Sequence, residues 1–177
     1  MGTSRTLVGS GAQAAIGTSG HSRLAKAKWF LLLMWVVAGV ANANGFIMGG
    51  APTVLGVVTT IVAACAWLLA GWIAGSQRTT SFFRFATVFW GMVVAGTPLV
   101  FWALTVAPGR AVSQGGFVLP LLLFTLMSPL YGLYALLPPW EPIVQGAVIG
   151  AAVFVMTLVA YFGGQRIAEA AAPAGSE

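Results

Sequence analysis

Apolar residues are concentrated in five segments that alternate with short polar breaks along the chain. The segments occupy roughly residues 29–48, 52–75, 82–106, 116–137 and 142–163. The breaks contain helix-terminating or polar residues, in the stretches GGAP (49–52), GSQRTTS (75–81), APGRAVSQGG (107–116) and PPWEP (138–142). An apolar run of about 20 residues spans a bilayer as a helix, because unsatisfied backbone groups are costly in hydrocarbon. The pattern predicts an all-α, polytopic membrane helix bundle with about five transmembrane helices.

The composition also points to a lipid environment. Apolar residues make up 59% of the chain and charged residues only 6%, whereas about a quarter of a soluble domain is charged. Because so few charges cannot cover a surface that faces water, we expect the lipid bilayer to surround most of the chain. Lys and Arg form no cluster, so nucleic acid is not an expected partner.

Three regions are predicted along the chain. Residues 1–28 are rich in Gly, Ser, Ala and Thr, contain no acid and have no sustained apolar period, which predicts a disordered basic cytoplasmic arm. Residues 29–164 form the predicted transmembrane helix bundle. Residues 165–177 form a predicted flexible C-terminal tail.

The first apolar segment has two interpretations. It follows a basic stretch and ends in Ala41-Asn42-Ala43, the small-x-small pattern at which a signal peptide is cleaved. Cleavage would remove residues 1–43 and leave four transmembrane helices. The long basic region before it and the return of apolar residues at 46–48 favour a retained first helix. We expect retention and leave cleavage open.

The distribution of basic residues predicts the orientation of the bundle. With five spans and a cytoplasmic N-terminus, the inner segments contain Arg5, Arg23, Lys26, Lys28, Arg78 and Arg84. The outer segments contain Arg110 and Arg166. Because cytoplasmic loops carry an excess of Lys and Arg, we predict a multi-pass cell-membrane protein with a cytoplasmic N-terminus and an external C-terminus.

Groups that perform catalysis or bind metal are scarce. The chain has no Asp, and its one His, His21, lies in the predicted arm. The acids are Glu141, Glu169 and Glu177, and Cys65 is the only cysteine. Because no spacing brings a nucleophile, a base or a ligand set together, we expect a protein that is not an enzyme and has no catalytic residue, metal or cofactor.

Two prolines and two polar residues are candidates for a kink or a solute pathway. Pro98 and Pro129 lie in the middle of the third and fourth segments, where each removes a helix hydrogen bond. Broken helices line substrate sites in transporters, although simple kinks are the commoner role of such prolines. Gln145 should face a neighbouring helix, or water near the inner surface. Glu141 is either an ion or proton site at the inner mouth or an ordinary helix N-terminal residue before Pro142.

Glycines spaced by four residues indicate helix packing, because small residues let helix backbones approach closely in lipid. The pairs are Gly45 and Gly49, Gly71 and Gly75, and Gly146 and Gly150. A stripe of mainly small residues also runs along one side of the second segment, and we expect it at a helix contact. This small-residue stripe comprises Gly56, Thr60, Ala63, Trp67 and Gly71. The sequence leaves open whether its partner is another span of this chain or another subunit.

Two functions remain in view. Small size, short loops and packing motifs without reactive groups favour a non-enzymatic accessory or anchoring subunit that binds other membrane subunits. The alternative is a small transporter or channel for ions or small solutes that acts as a homo-oligomer. That alternative depends on Pro98, Pro129, Gln145 and Glu141.

Overall fold

Helices account for nearly all of the chain that the structure, a computed structural model, describes: residues 10–106, 118–138 and 140–171. The α-helices are α1 (Ser10–Met48), α2 (Val54–Ser76), α3 (Thr80–Gly91), α4 (Thr97–Val106), α5 (Val118–Met127) and α6 (Pro142–Ala170). A π-helical turn, Met92–Gly96, joins α3 to α4, and a 3₁₀ segment, Ser128–Leu136, follows α5. These described regions contain no strand, so the predicted all-α class is confirmed.

Four helices of the described regions are long and apolar enough to cross a membrane, which indicates a helical membrane protein. They are Ala25–Met48, Val54–Ser76, Thr80–Trp102 and Pro142–Ala170. The third runs through the π-helical turn without a break. The fourth apolar segment of the sequence forms no such helix, because its helical part, Pro120–Leu136, is shorter and changes from α to 3₁₀ at Ser128.

The helices extend further at both ends of the chain than the sequence predicts. Helix α1 begins at Ser10, inside the region predicted to be a disordered arm, and α6 continues to Ala170, inside the predicted tail. Both extensions lack proline and continue a helix that is already nucleated, so adding residues to it costs little. Residues 1–9 and 172–177 lie outside the described residues.

One end of the bundle, which we call the basic end, carries the five Lys and Arg side chains that the structure describes. They are Lys26, Lys28, Arg78, Arg84 and Arg166. An ion pair of 3.6 Å between Arg78 and Glu169 joins the α2–α3 turn to the last turns of α6. Lys28 on α1 lies over the Phe85 ring of α3, 5.4 Å from its centroid. The first span therefore starts, and the last span ends, at the same end of the bundle.

Helix directions follow from pairs of contacting residues. On α3 and the π-helical turn, Phe83 contacts Tyr161 and Val93 lies beside Gly150, so this span is antiparallel to α6. Helix α2 is parallel to α6, because Gly71 packs against Thr157 and Gly75 against Tyr161. Consequently α4 ends, and α6 begins, at the end opposite the basic end. We call it the Trp140 end.

The part of the chain between α4 and α6 that the structure describes, residues 118–138, does not cross the bundle. Near the end of α5, Leu126 lies beside Gly96 at the π-helical turn, and the 3₁₀ segment then leads back to the Trp140 end. We call residues 118–138 the re-entrant segment. Ser128 and Pro129 lie beside Gly39, and Tyr131 lies beside Gly45, in the half of α1 nearer that end. The prediction of a fifth span over residues 116–137 is wrong on this point. The N-terminal part of α1 and the C-terminal end of α6 lie at the same end of the bundle, whereas the predicted orientation, with a cytoplasmic N-terminus and an external C-terminus, assumed five crossings.

Helix α2 packs against α1, the 3₁₀ segment and α6, and its small-residue stripe is buried within this chain. Gly56, Thr60, Ala63, Trp67 and Gly71 are all buried, as we predicted for a helix contact. A side-chain carbon at Gly71 would lie 2.9 Å from the Thr157 carbonyl oxygen. Close approach of this kind supplies packing energy where lipid offers no hydrophobic driving force.

The other predicted packing glycines have different environments. A Cβ at Gly45 would lie 3.0 Å from the Tyr131 ring, and a Cβ at Gly150 would lie 3.2 Å from Val93. Gly49 is not at a packing contact, since its Cβ position has no described atom within 4 Å. It has a φ of +64° in the turn that ends α1, where the next amide, that of Gly50, donates to the Gly45 carbonyl oxygen. That conformation is the reason for a glycine there.

An aromatic cluster packs α1, α2 and α3 together on the basic-end side of the re-entrant segment. Trp67 stacks on Phe89 with ring centroids 4.7 Å apart, and Trp35 meets Trp90 edge-on at 5.4 Å. The Trp35 indole also donates to the Thr125 carbonyl oxygen at 3.0 Å. Cleavage after Ala43 would remove Trp35 from this core, and retention of α1 stays a prediction.

Candidate functional site

The break between α5 and the 3₁₀ segment lies deep inside the bundle. Ser128 and Pro129 are completely or almost completely buried there. Pro129 has no N–H to donate, which accounts for the end of regular α-helix at this point. A Cβ at Gly132 would overlap the Gly56 carbonyl oxygen on α2, so the 3₁₀ segment needs a glycine at this close approach. Sequence and packing together place the change from α-helix to 3₁₀-helix in the interior of the bundle.

A hydrogen-bond network ties this break to α1 and α2. The Asn42 amide donates to the Ala38 carbonyl oxygen at 2.8 Å and to Thr60 Oγ1 at 2.9 Å. The Thr60 hydroxyl lies 2.7 Å from the Gly56 carbonyl oxygen and 2.9 Å from the Pro129 carbonyl oxygen, to either of which it can donate. The network thus provides a donor for a carbonyl of the broken segment.

Sequence analysis did not identify this network. Asn42 stands out in the sequence only as part of a possible cleavage site, yet its side chain is 2% exposed in the bundle. The available signal was Thr60, which lies on the stripe predicted to be buried. A buried polar side chain on such a stripe needs a hydrogen-bond partner, from its own helix or from a neighbouring one.

Three buried oxygen atoms around the break have no hydrogen-bond partner among the described residues. They are Asn42 Oδ1, Ser128 Oγ and the Tyr134 hydroxyl. The Tyr134 hydroxyl is seated against α6 at Gly146, where a Cβ would lie 2.7 Å from it. Leaving a buried polar atom unpaired costs about 1–3 kcal/mol. Atoms of this kind commonly bind ordered water or a polar ligand.

A cavity of about 450 Å³ lies at the Trp140 end. Residues of α1, the 3₁₀ segment and α6 surround it, among them Phe46, Tyr131, Tyr134, Trp140, Pro142 and Gln145. The cavity is within the range of about 300–1,000 Å³ that is usual for small-molecule sites. Because Tyr131 and Tyr134 line the cavity, it borders the 3₁₀ segment that follows the break.

Two of the four pathway candidates lie at this site. Pro129 is buried at the break itself, and the Gln145 amide, on the cavity wall, donates to the Pro138 carbonyl oxygen at 2.7 Å. Pro98 is exposed on the outer surface of the bundle, and the preceding Thr97 hydroxyl donates to the Val93 carbonyl oxygen at 2.6 Å. Pro98 therefore belongs to a local helix irregularity and not to the site.

Glu141 occupies the helix N-terminus that the sequence predicts for it. It is the N-cap residue of α6, and Pro142 follows in the first turn. Its exposed side chain makes no capping hydrogen bond. Glu141 lies between two cavity-lining residues, Trp140 and Pro142, at the end opposite the basic end. Glu141 is therefore at the cavity rim. The five-span prediction had put it on the inner side of the membrane, together with most of the basic residues.

The re-entrant break, its hydrogen-bond network and the adjoining cavity form the candidate functional site. It combines carbonyl, amide and hydroxyl groups in the interior of an apolar bundle. Comparison of the chain with protein-family models, with curated proteins and with solved structures finds no match.

Proposed function

We propose that the chain is a small transporter or channel whose pathway passes the break at Ser128–Pro129. The observation that carries the proposal is the buried change from α-helix to 3₁₀-helix in the re-entrant segment, which on this proposal lies at membrane depth. Non-helical backbone is tolerated there only where it is enclosed by protein or lines a water-filled cavity. Broken helices near the bilayer midplane are also a common component of transporter sites.

The chemistry of the site suits a small polar solute. Asn42 Oδ1, Ser128 Oγ and the Tyr134 hydroxyl are available for hydrogen bonds, and the hydroxyls can donate as well as accept. The cavity supplies an entry from the Trp140 end as far as Tyr134. On this proposal the protein binds and passes a solute without transforming it chemically, so it is not an enzyme.

We also propose that the basic end is cytoplasmic and that the membrane is the cell membrane. The positive-inside rule supports this sidedness, since Lys26, Lys28, Arg78, Arg84 and Arg166 all belong to the basic end. The N-terminal part of α1 and the C-terminal end of α6 are then both cytoplasmic, and the cavity opens to the outside.

Ser128→Ala tests the pathway directly. The Ser128 hydroxyl has no partner, so its removal should leave the free energy of unfolding nearly unchanged. If the hydroxyl bonds to the passing solute, flux should fall about five- to ten-fold, the equivalent of one hydrogen bond. The measurement is flux in reconstituted vesicles for protons, potassium, chloride, urea and glycerol.

Thr157→Val is the matched control for this experiment. Thr157 is equally buried, but its hydroxyl donates to the Val153 carbonyl oxygen of its own helix. The substitution Thr157→Val should therefore leave solute flux unchanged. Wild-type vesicles that pass none of these solutes faster than empty vesicles would remove the proposal.

An exposed stripe on α3 and the π-helical turn supports a second role, as an accessory or anchoring subunit that binds another copy or another membrane protein. Thr87, Gly91 and Ala95 are spaced by four residues and face outward, and a Cβ at Gly91 has open space around it. Small residues in this pattern mediate helix association in lipid.

Gly91→Leu is expected to weaken any such association without disturbing the monomer fold. The measurement is the oligomer distribution in mild detergent, by chemical crosslinking and size-exclusion chromatography. Cys65→Leu, on the exposed face of α2, serves as the control. If wild type is monomeric in native membranes and has no crosslinked partner, the stripe does not mediate association.

A further inference from the structure

A second cavity, separate from the candidate site, lies between α1 and α2 at the basic end. It has a volume of about 380 Å³ and extends along α2 over three small residues, Ala66, Ala70 and Ala74. These positions are four apart, so they lie on one face of α2 and leave space beside the larger side chains of α1. We call this cavity the α1–α2 groove.

The α1–α2 groove is open at the outer surface of the bundle. Its edges are formed by Phe30, Leu69 and Ile73, which are 52%, 61% and 44% exposed on the outer surface of the bundle. The floor consists of buried side chains, including Leu31 and Phe82. An elongated apolar occupant from the membrane fits this shape.

The basic-end mouth of the groove is polar and positively charged. Gln77 lines the groove, and Arg78 follows it in the α2–α3 turn with an exposed side chain. Ala27 lines the groove from the α1 side, directly after the exposed Lys26. The described carboxylate at this end is Glu169, which meets Arg78 at 3.6 Å with both side chains more than half exposed. Screening by water makes such a pair weak, so Arg78 can exchange it for a phosphate.

We propose that the α1–α2 groove binds one anionic phospholipid. One acyl chain lies along Ala66, Ala70 and Ala74, and the phosphate lies between Lys26 and Arg78. The apolar, laterally open groove accounts for the chain, and charge complementarity at its mouth accounts for the headgroup. Arg78 suits phosphate through its planar set of donors, and Lys26 contributes a mobile point charge. The inference does not depend on the proposed transport function.

The test is lipid retention by the purified full chain, measured by native mass spectrometry after exchange into detergent. Phosphatidylglycerol and phosphatidylcholine with identical acyl chains are compared, with inorganic phosphate as a separate addition. Wild type should retain one phosphatidylglycerol about thirty-fold more strongly than phosphatidylcholine, given the gain expected from two basic residues near an anionic lipid. Free phosphate should not compete at millimolar concentration, because the acyl chain provides much of the affinity.

Two groups of variants test the contributions of the apolar groove and of the basic side chains to lipid binding separately. Ala70→Phe, which fills the groove, should abolish retention of both lipids, whereas Val62→Phe on the exposed face of α2 should retain them. Lys26→Gln with Arg78→Gln should keep weak binding and lose the preference for phosphatidylglycerol. Arg166→Gln, at the same end, should keep the preference.

Equal retention of the two lipids by wild type would overturn the proposal, and so would unchanged phosphatidylglycerol retention in Ala70→Phe. Should Ala70→Phe fail to fold, Ala70→Leu and the charge variants give the decision. Loss of preference in Arg166→Gln, but not in the double variant, would also overturn the assigned headgroup position.

Discussion

Gly75→Ala is expected to destabilise the bundle more than any other single added methyl group on α2. A Cβ at Gly75 would overlap the Tyr161 carbonyl oxygen of α6, and backbone cannot move aside as a flexible side chain can. Helices α2 and α6 would have to separate along their contact, with loss of packing at Gly71 and Gly164. Overpacking in a well-packed core costs about 1–3 kcal/mol, and we expect a loss at the upper end of that range or above it.

The measurement is the free energy of unfolding in mixed micelles, by titration with a denaturing detergent. Gly91→Ala is the matched control, because its Cβ would meet no described atom within 4 Å. Alanine is favoured over glycine in a helix by about 0.5–1 kcal/mol, so Gly91→Ala should be neutral or slightly stabilising. Equal effects of the two substitutions would contradict the α2–α6 contact.

The N-terminal part of α1 and the C-terminal end of α6 are expected on the same side of the membrane. The result is all-or-none, because each position is labelled from one side or from the other. In a Cys65→Ala background, single cysteines replace Lys26, Glu141 and Glu169. A membrane-impermeant thiol reagent applied to sealed vesicles of known orientation should label Lys26→Cys and Glu169→Cys from one side and Glu141→Cys from the other. The physical basis is the parallel packing of α2 and α6, in which Gly71 lies against Thr157 and Gly75 against Tyr161, so that α6 ends at the basic end.

Five crossings would give a different labelling pattern. Residues 26 and 169 would then be labelled from opposite sides, and the re-entrant assignment would fail. Lys26→Cys also reports on cleavage of the first segment, because a chain cut after Ala43 would lose that label. In a chain cut after Ala43, Glu141→Cys and Glu169→Cys should still react from opposite sides.

Hydropathy alone was sufficient for the first three spans and the last one. Their central parts coincide with helices α1, α2, α3–α4 and α6, because a long apolar run has only one stable backbone form in lipid. Residue spacing also predicted the buried stripe on α2. The helical period places its members on one face, namely Gly56, Thr60, Ala63, Trp67 and Gly71.

The fourth apolar segment shows the limit of this approach. It is as apolar and nearly as long as the spans, so hydropathy cannot distinguish a crossing from a return. Its prolines indicated an irregular helix but not its direction. The direction follows from the neighbours: the Thr60 hydroxyl is within hydrogen-bond distance of the Pro129 carbonyl oxygen, and glycine at position 132 allows the segment to approach α2.

By itself, the sequence determined that this is an all-helical chain whose long segments suit a membrane, because segment length and apolar character are properties of contiguous residues. Only the tertiary structure decided that the chain turns back at Ser128–Pro129 and that both terminal helix ends lie at the basic end. It also brought Asn42, Thr60 and the break together. Those results depend on which distant residues supply hydrogen bonds and space to one another, and no local pattern contains that information.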